Sequence, residues 1–273
     1  MSEVTVIGGG IIGVSCALAL QREGIETTLI ERGAIGGAAT FGNCALMARS
    51  EIVPLSKPGV MKKIPGWLLN PEGPLAVRPS HLPLALPWLL RFLRNSGKDR
   101  VARICHGLGE IAALAQDDFD DVIEAAGIQN IWAPNEVLYL YDSKAQYAAD
   151  RFSWSLREAE GCFVTELSDS ELRDLEPAVN TAGKFGVIAN GWKSFTSPQR
   201  LTQDLAQYFV QLGGTLHTGE VTHLKMSAGR VSALHLSEGT DQKVNKLVVA
   251  GGCWANKLLH QIGIRIQIGR AHV

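Results

Sequence analysis

Six residues near the start of the chain, Gly8-Gly9-Gly10-Ile11-Ile12-Gly13, have the spacing of a turn that holds a pyrophosphate. They follow a β-branched run, Val4-Thr5-Val6-Ile7, and open a stretch rich in small and apolar residues. In that setting each glycine has a task. Gly8 allows the tight turn, Gly10 lets the backbone approach the phosphates, and Gly13 lets helix and strand pack closely. The free N–H groups and partial positive charge at the helix start, at Ile11 and Ile12, complete an anion site directly after Ile7. Glu31 follows 23 residues after Gly8. A carboxylate there accepts hydrogen bonds from a ribose 2′-hydroxyl and repels a 2′-phosphate, which argues against NADP. The spacing predicts dinucleotide binding; the alternative is a glycine turn with a packing role only.

The motif leaves FAD and NAD open. The segment Gly36-Gly37-Ala38-Ala39-Thr40-Phe41-Gly42-Asn43 is long, small and polar. A chain passing promptly into its next crossover helix has no use for it. A chain crossing the face of a flavin does, because small residues permit close backbone approach. An ordinary flexible loop is the other reading.

These residues need a scaffold, and the pattern supplies one. Residues 4–7 read as a buried strand, 11–23 as a helix ending at Gly24, and 26–30 as a second strand closing on Glu31, which together make one βαβ unit. Residues 54–97, dense in Pro and Trp, read as turns and short helices. Helical spacing of Val101, Ile104, Leu108, Ile111, Phe119, Val122 and Ile123 predicts a helix over 98–126, ended by Gly127. A strand over 137–141, one amphipathic helix over 143–160 and a short helix over 168–175 follow. Strand-like runs over 185–189, 215–218, 221–226, 230–236 and 246–250 surround a helix carrying Leu201, Leu205, Phe209 and Leu212.

The chain of 273 residues has 46% apolar and 19% charged residues, which excludes a disordered or solvated tail. Basic and acidic residues balance, 26 against 27, so there is no nucleic-acid footprint. Cys16, Cys44, Cys105, Cys162 and Cys253 are odd in number and widely spaced, which fits a reducing compartment and neither a disulfide framework nor a zinc site. No targeting segment is expected, and the apolar run 82–90, broken by Pro83 and Pro87, is far short of the ~20 residues of a membrane span. His81, His106, His217, His223, His235 and His260 lack metal spacing, so no metal is expected. Asp117, Asp118, Asp120 and Asp121 read as a solvated helix face, Trp67 and Trp88 as core, and Cys44 as a small buried residue rather than a redox group.

The sequence resembles the D-amino-acid oxidase superfamily of FAD-dependent oxidoreductases, and within it the bacterial D-amino-acid dehydrogenases. The resemblance rests on Val6-Ile7-Gly8-Gly9-Gly10-Ile11-Ile12-Gly13, Ile30-Glu31-Arg32, Ala39-Thr40-Phe41-Gly42-Asn43, Gly73-Pro74-Leu75-Ala76-Val77-Arg78-Pro79, Leu175-Glu176-Pro177, Gly219-Glu220-Val221 and Val248-Val249-Ala250-Gly251-Gly252-Cys253-Trp254. It implies an α/β fold: a Rossmann-like FAD-binding domain, residues 1–50 and 198–273, with an inserted α+β substrate domain, residues 51–197. It implies that Ile7, Gly8, Gly10, Ile11, Ile12 and Gly13 border the pyrophosphate and that Glu31 and Arg32 lie at the adenosine ribose. Ala39, Thr40, Asn43, Cys44, Ala45 and Leu46 would line the flavin, Val221 would meet adenine through its backbone, and Ala250, Gly251 and Trp254 would sit at the strand end near the cofactor. Phe41 and Gly42 depart from the family's Ser-Ala pair.

The implied chemistry is oxidation of a D-amino acid at Cα, with hydride transfer to flavin N5 and hydrolysis of the imino acid to a 2-oxo acid and ammonia. Electrons would pass to a quinone or another acceptor. The place of action would be the cytoplasm, with peripheral contact to the inner membrane through 82–90 as one reading and helices packed in the substrate domain as the other. A glycine- or sarcosine-type amine oxidase and a non-catalytic fragment are the alternatives. The resemblance runs over residues 3–266. It lacks the family's later segment, which carries substrate contacts, so catalytic residues are left unassigned. The last six residues, Ile268-Gly269-Arg270-Ala271-His272-Val273, are encodable by a common sequencing-adaptor sequence. The native frame is therefore expected to be cut near Gln267.

Overall fold

The computed structural model describes residues 3–70, 79–133 and 137–266. Most of the 73–79 motif and all of 268–273 lie outside the described residues. In chain order the elements are β1 (Val4–Ile7), α1 (Ile11–Arg22), β2 (Thr27–Glu31), β3 (Leu46–Met47), α2 (Val60–Leu69), α3 (Leu82–Arg94), α4 (Lys98–Ala126), β4 (Trp132–Ala133) and β5 (Val137–Tyr141). Then come α5 (Lys144–Ala149), α6 (Arg151–Ala159), β6 (Val164–Glu166), α7 (Asp169–Leu175), β7 (Phe185–Ala189), β8 (Lys193–Phe195) and α8 (Pro198–Gln211). The last are β9 (Thr215–Thr218), β10 (Val221–Ser227), β11 (Arg230–Leu236), β12 (Asp241–Lys243), β13 (Lys246–Val249) and α9 (Ala255–Leu259).

The chain divides into two compact units. One comprises Met1–Leu46, Asp121–Ala133 and Ser194–Val273; the other comprises Met47–Asp120 and Pro134–Lys193. Residues 121–133, which the sequence reading counts with the inserted domain, group instead with the first unit. The reason is local pairing. Trp132 and Ala133 are opposite Phe195 and Ser194, the Trp132 and Phe195 rings stack at 4.7 Å, and Thr196 N donates to Ile131 O at 2.9 Å.

The first unit is an α/β layer built on a parallel sheet of order β13-β1-β2-β9. Its two central strands, β1 and β2, are buried along nearly their whole length, with the small polar Thr5, Thr27 and Thr28 among the apolar residues. Val4 to Ile7 are all buried, and Val6 and Leu29 have no exposed surface. Each such side chain contributes about 2 kcal/mol of apolar burial, and runs without alternating exposure are what a sheet covered on both faces requires. Helix α1 buries Gly13, Val14, Ala17 and Leu18 and packs on α8. An antiparallel meander, β10-β11-β12, adds Leu224, Leu234 and Leu236 to the cluster that holds Ile7 and Ile30.

The second unit has an antiparallel sheet of order β5-β7-β6. Trp154, fully buried, packs there with Tyr147, Val187 and Ala189. The single helix expected over 143–160 is two helices. They part at Asp150, which is the C-cap of α5 and carries a backbone turned to φ −97°, ψ 4°. Its carboxylate accepts from Lys57 Nζ at 2.6 Å and Ser153 Oγ at 2.7 Å. Burial pushes that carboxyl up, but the hydrogen bonds from Lys57 and Ser153 outweigh it and leave the pKa below the ordinary value. Nearby, Tyr139 donates to Glu51, and burial followed by that bond pushes the phenol up to about 12. Arg157 lies over the Trp154 ring at 4.5 Å and donates to Ser50 O at 2.9 Å.

Within 54–97 the described residues form turns and two short helices, α2 and α3, as the Pro-rich composition indicates. Helix α3 begins with a proline in its first turn and carries Pro87 inside. Trp88, expected in the core, is exposed at 59%, with Leu84, Leu86 and Leu90 exposed beside it, and it stacks on Phe92; Trp67 is half-buried. Among the described residues no helix is long and apolar enough to cross a membrane.

Candidate functional site

The parallel sheet creates a crevice where its order turns back. From β1 the chain goes to β2 on one side, and β13 returns on the other, so the carboxyl ends of β1 and β13 flank an open edge. Ligands of open α/β sheets bind at such a point. Gly8 leaves β1 with φ +113°, and a Cβ on it would lie 2.5 Å from Ala250 O, at the end of β13. A Cβ on Gly13 would lie 1.8 Å from Gly8 O. These two glycines are required by the protein's own backbone. Gly10 differs. It is the N-cap of α1 with φ −74°, and its absent Cβ would meet only Thr40 Oγ1, at 3.4 Å. Nothing in the chain needs a glycine there, so the free space is left for something else.

A cavity of about 330 Å³ opens at this point, entirely within the first unit. Ile7, Gly8, Gly10, Ile11 and Ile12 form its floor at the start of α1. Thr40, buried, accepts from Ile11 N at 3.1 Å and so ties the loop 33–43 to the first turn of the helix. Glu31 and Arg32 line one wall. The Glu31 carboxylate accepts from Gly9 N at 2.6 Å and Gly33 N at 2.9 Å. A carboxylate has about four lone-pair sites, so both oxygens keep capacity for further donors. Ala39 and Asn43 line the loop side, and Val221, Ala250, Gly251 and Trp254 line the opposite side.

Four of the residues singled out from the sequence are not on the cavity wall. Gly13 is buried behind Gly8. Cys44, Ala45 and Leu46 lie beyond it, because Asn43 Oδ1 accepts from Ala45 N at 2.8 Å and turns the chain, with Ala45 at φ +56°. The Ala45 carbonyl then accepts from Phe195 N at 2.9 Å. Cys44, expected as a small buried residue, is exposed. Conversely, Glu220 and Lys257 line the cavity without having been singled out. Glu220 sits in the quoted Gly219-Glu220-Val221 run, and its acidity beside a predicted nucleotide strand was the available signal. Lys257 carries none, since only the packing of α9 against the meander brings it there. Among the described residues no group of three or more His, Cys, Asp or Glu side chains is arranged to hold a metal ion.

A glycine turn on a parallel strand, a helix start aimed at a crevice and an acid at the end of the next strand define a dinucleotide-binding α/β protein. Residues 3–273 match the DAO family, described as FAD dependent oxidoreductase. The match runs past Ile266, where the resemblance was expected to end. The chain is 32% identical over 264 residues to the D-amino-acid oxidase of Bradyrhizobium diazoefficiens, covering 96% of this chain and 62% of that protein. It is 31% identical over 232 residues to D-amino acid dehydrogenase 2 of Ralstonia nicotianae, covering 84% and 53%. The glycine oxidase of Bacillus cereus has the same fold, with a TM-score of 0.61 at 18% identity over 95% of this chain and 58% of that one. The chain thus spans less than two thirds of the length of these proteins. It belongs to the DAO family of FAD-dependent oxidoreductases, whose cofactor is FAD.

Proposed function

We propose that the cavity receives the adenosine-diphosphate half of FAD and that the protein oxidises a D-amino acid at Cα to a 2-oxo acid and ammonia. The observation that carries the first part is the open space beside Gly10 at the start of α1, walled by Glu31. There Gly8, Gly10, Ile11 and Ile12 present backbone to the pyrophosphate; Ile11 N is taken by Thr40 Oγ1, so the helix start acts through the following N–H and the positive end of its dipole. Glu31 accepts from the ribose hydroxyls, the Val221 backbone faces adenine, and Arg32, Ala250, Gly251 and Trp254 complete the enclosure. Ala39, Thr40 and Asn43 hold the loop that leads toward the flavin ring, with Cys44, Ala45 and Leu46 following it. When bound, FAD supplies a two-electron acceptor for the substrate hydride. The second unit, with its antiparallel sheet, is the substrate domain in this reading.

The D-amino-acid assignment is supported by relatives named D-amino-acid oxidase and D-amino acid dehydrogenase. Those names also leave two acceptors, oxygen and a quinone or similar carrier. A second reading, a glycine- or sarcosine-type amine oxidase, is favoured by the fold shared with glycine oxidase. The test is to titrate the chain with FAD and follow flavin fluorescence. The loaded protein is then mixed without oxygen with D-alanine, L-alanine, glycine and sarcosine, and flavin absorbance is read. Saturable quenching and bleaching by the D-amino acid are expected. Bleaching by glycine or sarcosine alone would move the assignment to the second reading, and absence of quenching would remove the cofactor reading itself.

A further inference from the structure

Arg32 sits beside Glu31 on the cavity wall, at the position where dinucleotide-binding proteins that accept a 2′-phosphate place a cation. Left free, it would counteract the exclusion that Glu31 provides. It is not free. Its guanidinium lies over the Trp254 ring at 5.2 Å, and its Nη1 donates to Glu220 Oε1 at 3.4 Å. Glu220 and Trp254 line the same cavity. The aromatic face sets where the guanidinium rests, and the carboxylate neutralises it there.

The geometry points to Glu220 as the residue that fixes nucleotide selectivity: by pairing Arg32 it withholds the cation that a 2′-phosphate would need, so the site takes adenosine nucleotides with a free 2′-hydroxyl. This rests on the reading of the cavity as a nucleotide site. Glu220 acts through Arg32 and is a positioning residue. Both side chains are about half exposed, at 46% and 40%, so the effect is that of one screened pair, up to about fivefold in an equilibrium constant. Lys257 is a second cation on the wall, and the experiment has to separate it from Arg32.

The test is isothermal titration of the chain with ADP and with adenosine 2′,5′-bisphosphate at about 0.01 M ionic strength, where screening is weak. Glu220→Gln keeps an oxygen for Arg32 and removes only the charge, so a purely structural role of Glu220 would leave the ratio of the two Kd values unmoved. The expected result is that Glu220→Gln shifts that ratio about fivefold toward the bisphosphate, with ADP binding little changed. Arg32→Met/Glu220→Gln should return the ratio to the wild-type value. An unchanged ratio in Glu220→Gln, with wild type binding ADP, overturns the inference alone. A shifted ratio that survives in the double variant overturns it too, because the cation would then be Lys257. If the wild-type chain binds neither nucleotide, the reading of the cavity falls and the inference falls with it.

Discussion

Gly10→Ala and Gly13→Ala each add one methyl group, three residues apart, with opposite consequences. At Gly13 the new Cβ would lie 1.8 Å from the Gly8 carbonyl oxygen, where real contacts stay beyond 3.0 Å, and Ala250 Cβ closes the other side at 3.3 Å. The turn must open by more than about 1 Å, which is overpacking at the junction of β1 and α1 and costs about 3 kcal/mol. For a chain of this size that lowers Tm by about 6–12 °C. At Gly10 the Cβ meets only Thr40 Oγ1 at 3.4 Å, and φ of −74° suits alanine. A stiffer unfolded chain gains about 0.4–1 kcal/mol, and loss of a preferred N-cap residue takes back a similar amount. Tm should therefore move by less than about 4 °C. The methyl nevertheless stands where the pyrophosphate is proposed to approach, so ADP affinity should fall at least about tenfold, or 1.4 kcal/mol. Thermal denaturation followed by circular dichroism and calorimetric ADP titration read the two effects separately. The reasoning is refuted if Gly10→Ala binds ADP as wild type does, or if it melts together with Gly13→Ala.

Three further outcomes follow from single contacts. Thr40→Val removes the acceptor of Ile11 N and should lower stability by about 1 kcal/mol, read as a lower urea midpoint with unchanged slope. Tyr139, raised to about 12 against an ordinary 10, favours the folded chain fully below pH 10, and that contribution is lost as pH rises through 12. Absorbance at 295 nm should show one late-ionising tyrosine that Tyr139→Phe deletes; a titration curve unaltered by the substitution would count against the burial of the ring and its bond to Glu51. Asp150, held below its ordinary 3.8, contributes stability above that pH and loses it as pH falls through the lowered value. The urea midpoint of wild type should drop between pH 5 and pH 3, and that of Asp150→Asn should start lower and change less. Equal slopes in the two proteins would contradict the assignment.

Where the sequence was legible, one strong local pattern was sufficient. Helix α4 occupies the predicted 98–126, and β1, β5, β7, β9 and β11 begin and end as their apolar runs and flanking glycines indicate. The turn at Gly8 was equally legible, because its chemistry is written in consecutive residues. What escaped depends on partners distant in the chain. Asp150 looks like an ordinary position in an amphipathic helix, and its bond from Lys57, 93 residues away, is invisible in the local pattern although α5 ends and α6 begins there. Pro83 and Pro87 signal breaks, yet Pro83 occupies the first turn of α3, where a missing N–H is harmless. Pro87, four residues on, lies inside the helix, where it forfeits the bond to the carbonyl of Pro83 and its ring crowds that carbonyl, yet the helix continues to Arg94. Two-residue β4 has no period to detect. The cavity divides in the same way. Its floor and the Glu31 wall come from one βαβ unit and were readable from spacing. Glu220 reaches Arg32 across 188 residues because β9 pairs with β2 and carries the following turn to the strand end, where Gly219 N donates to Glu31 O at 2.9 Å. A carboxylate there has meaning only once that register is known. For this reason the half of the cavity proposed to hold the phosphates was readable from the chain, whereas the contacts proposed to select among nucleotides had to be read from the fold.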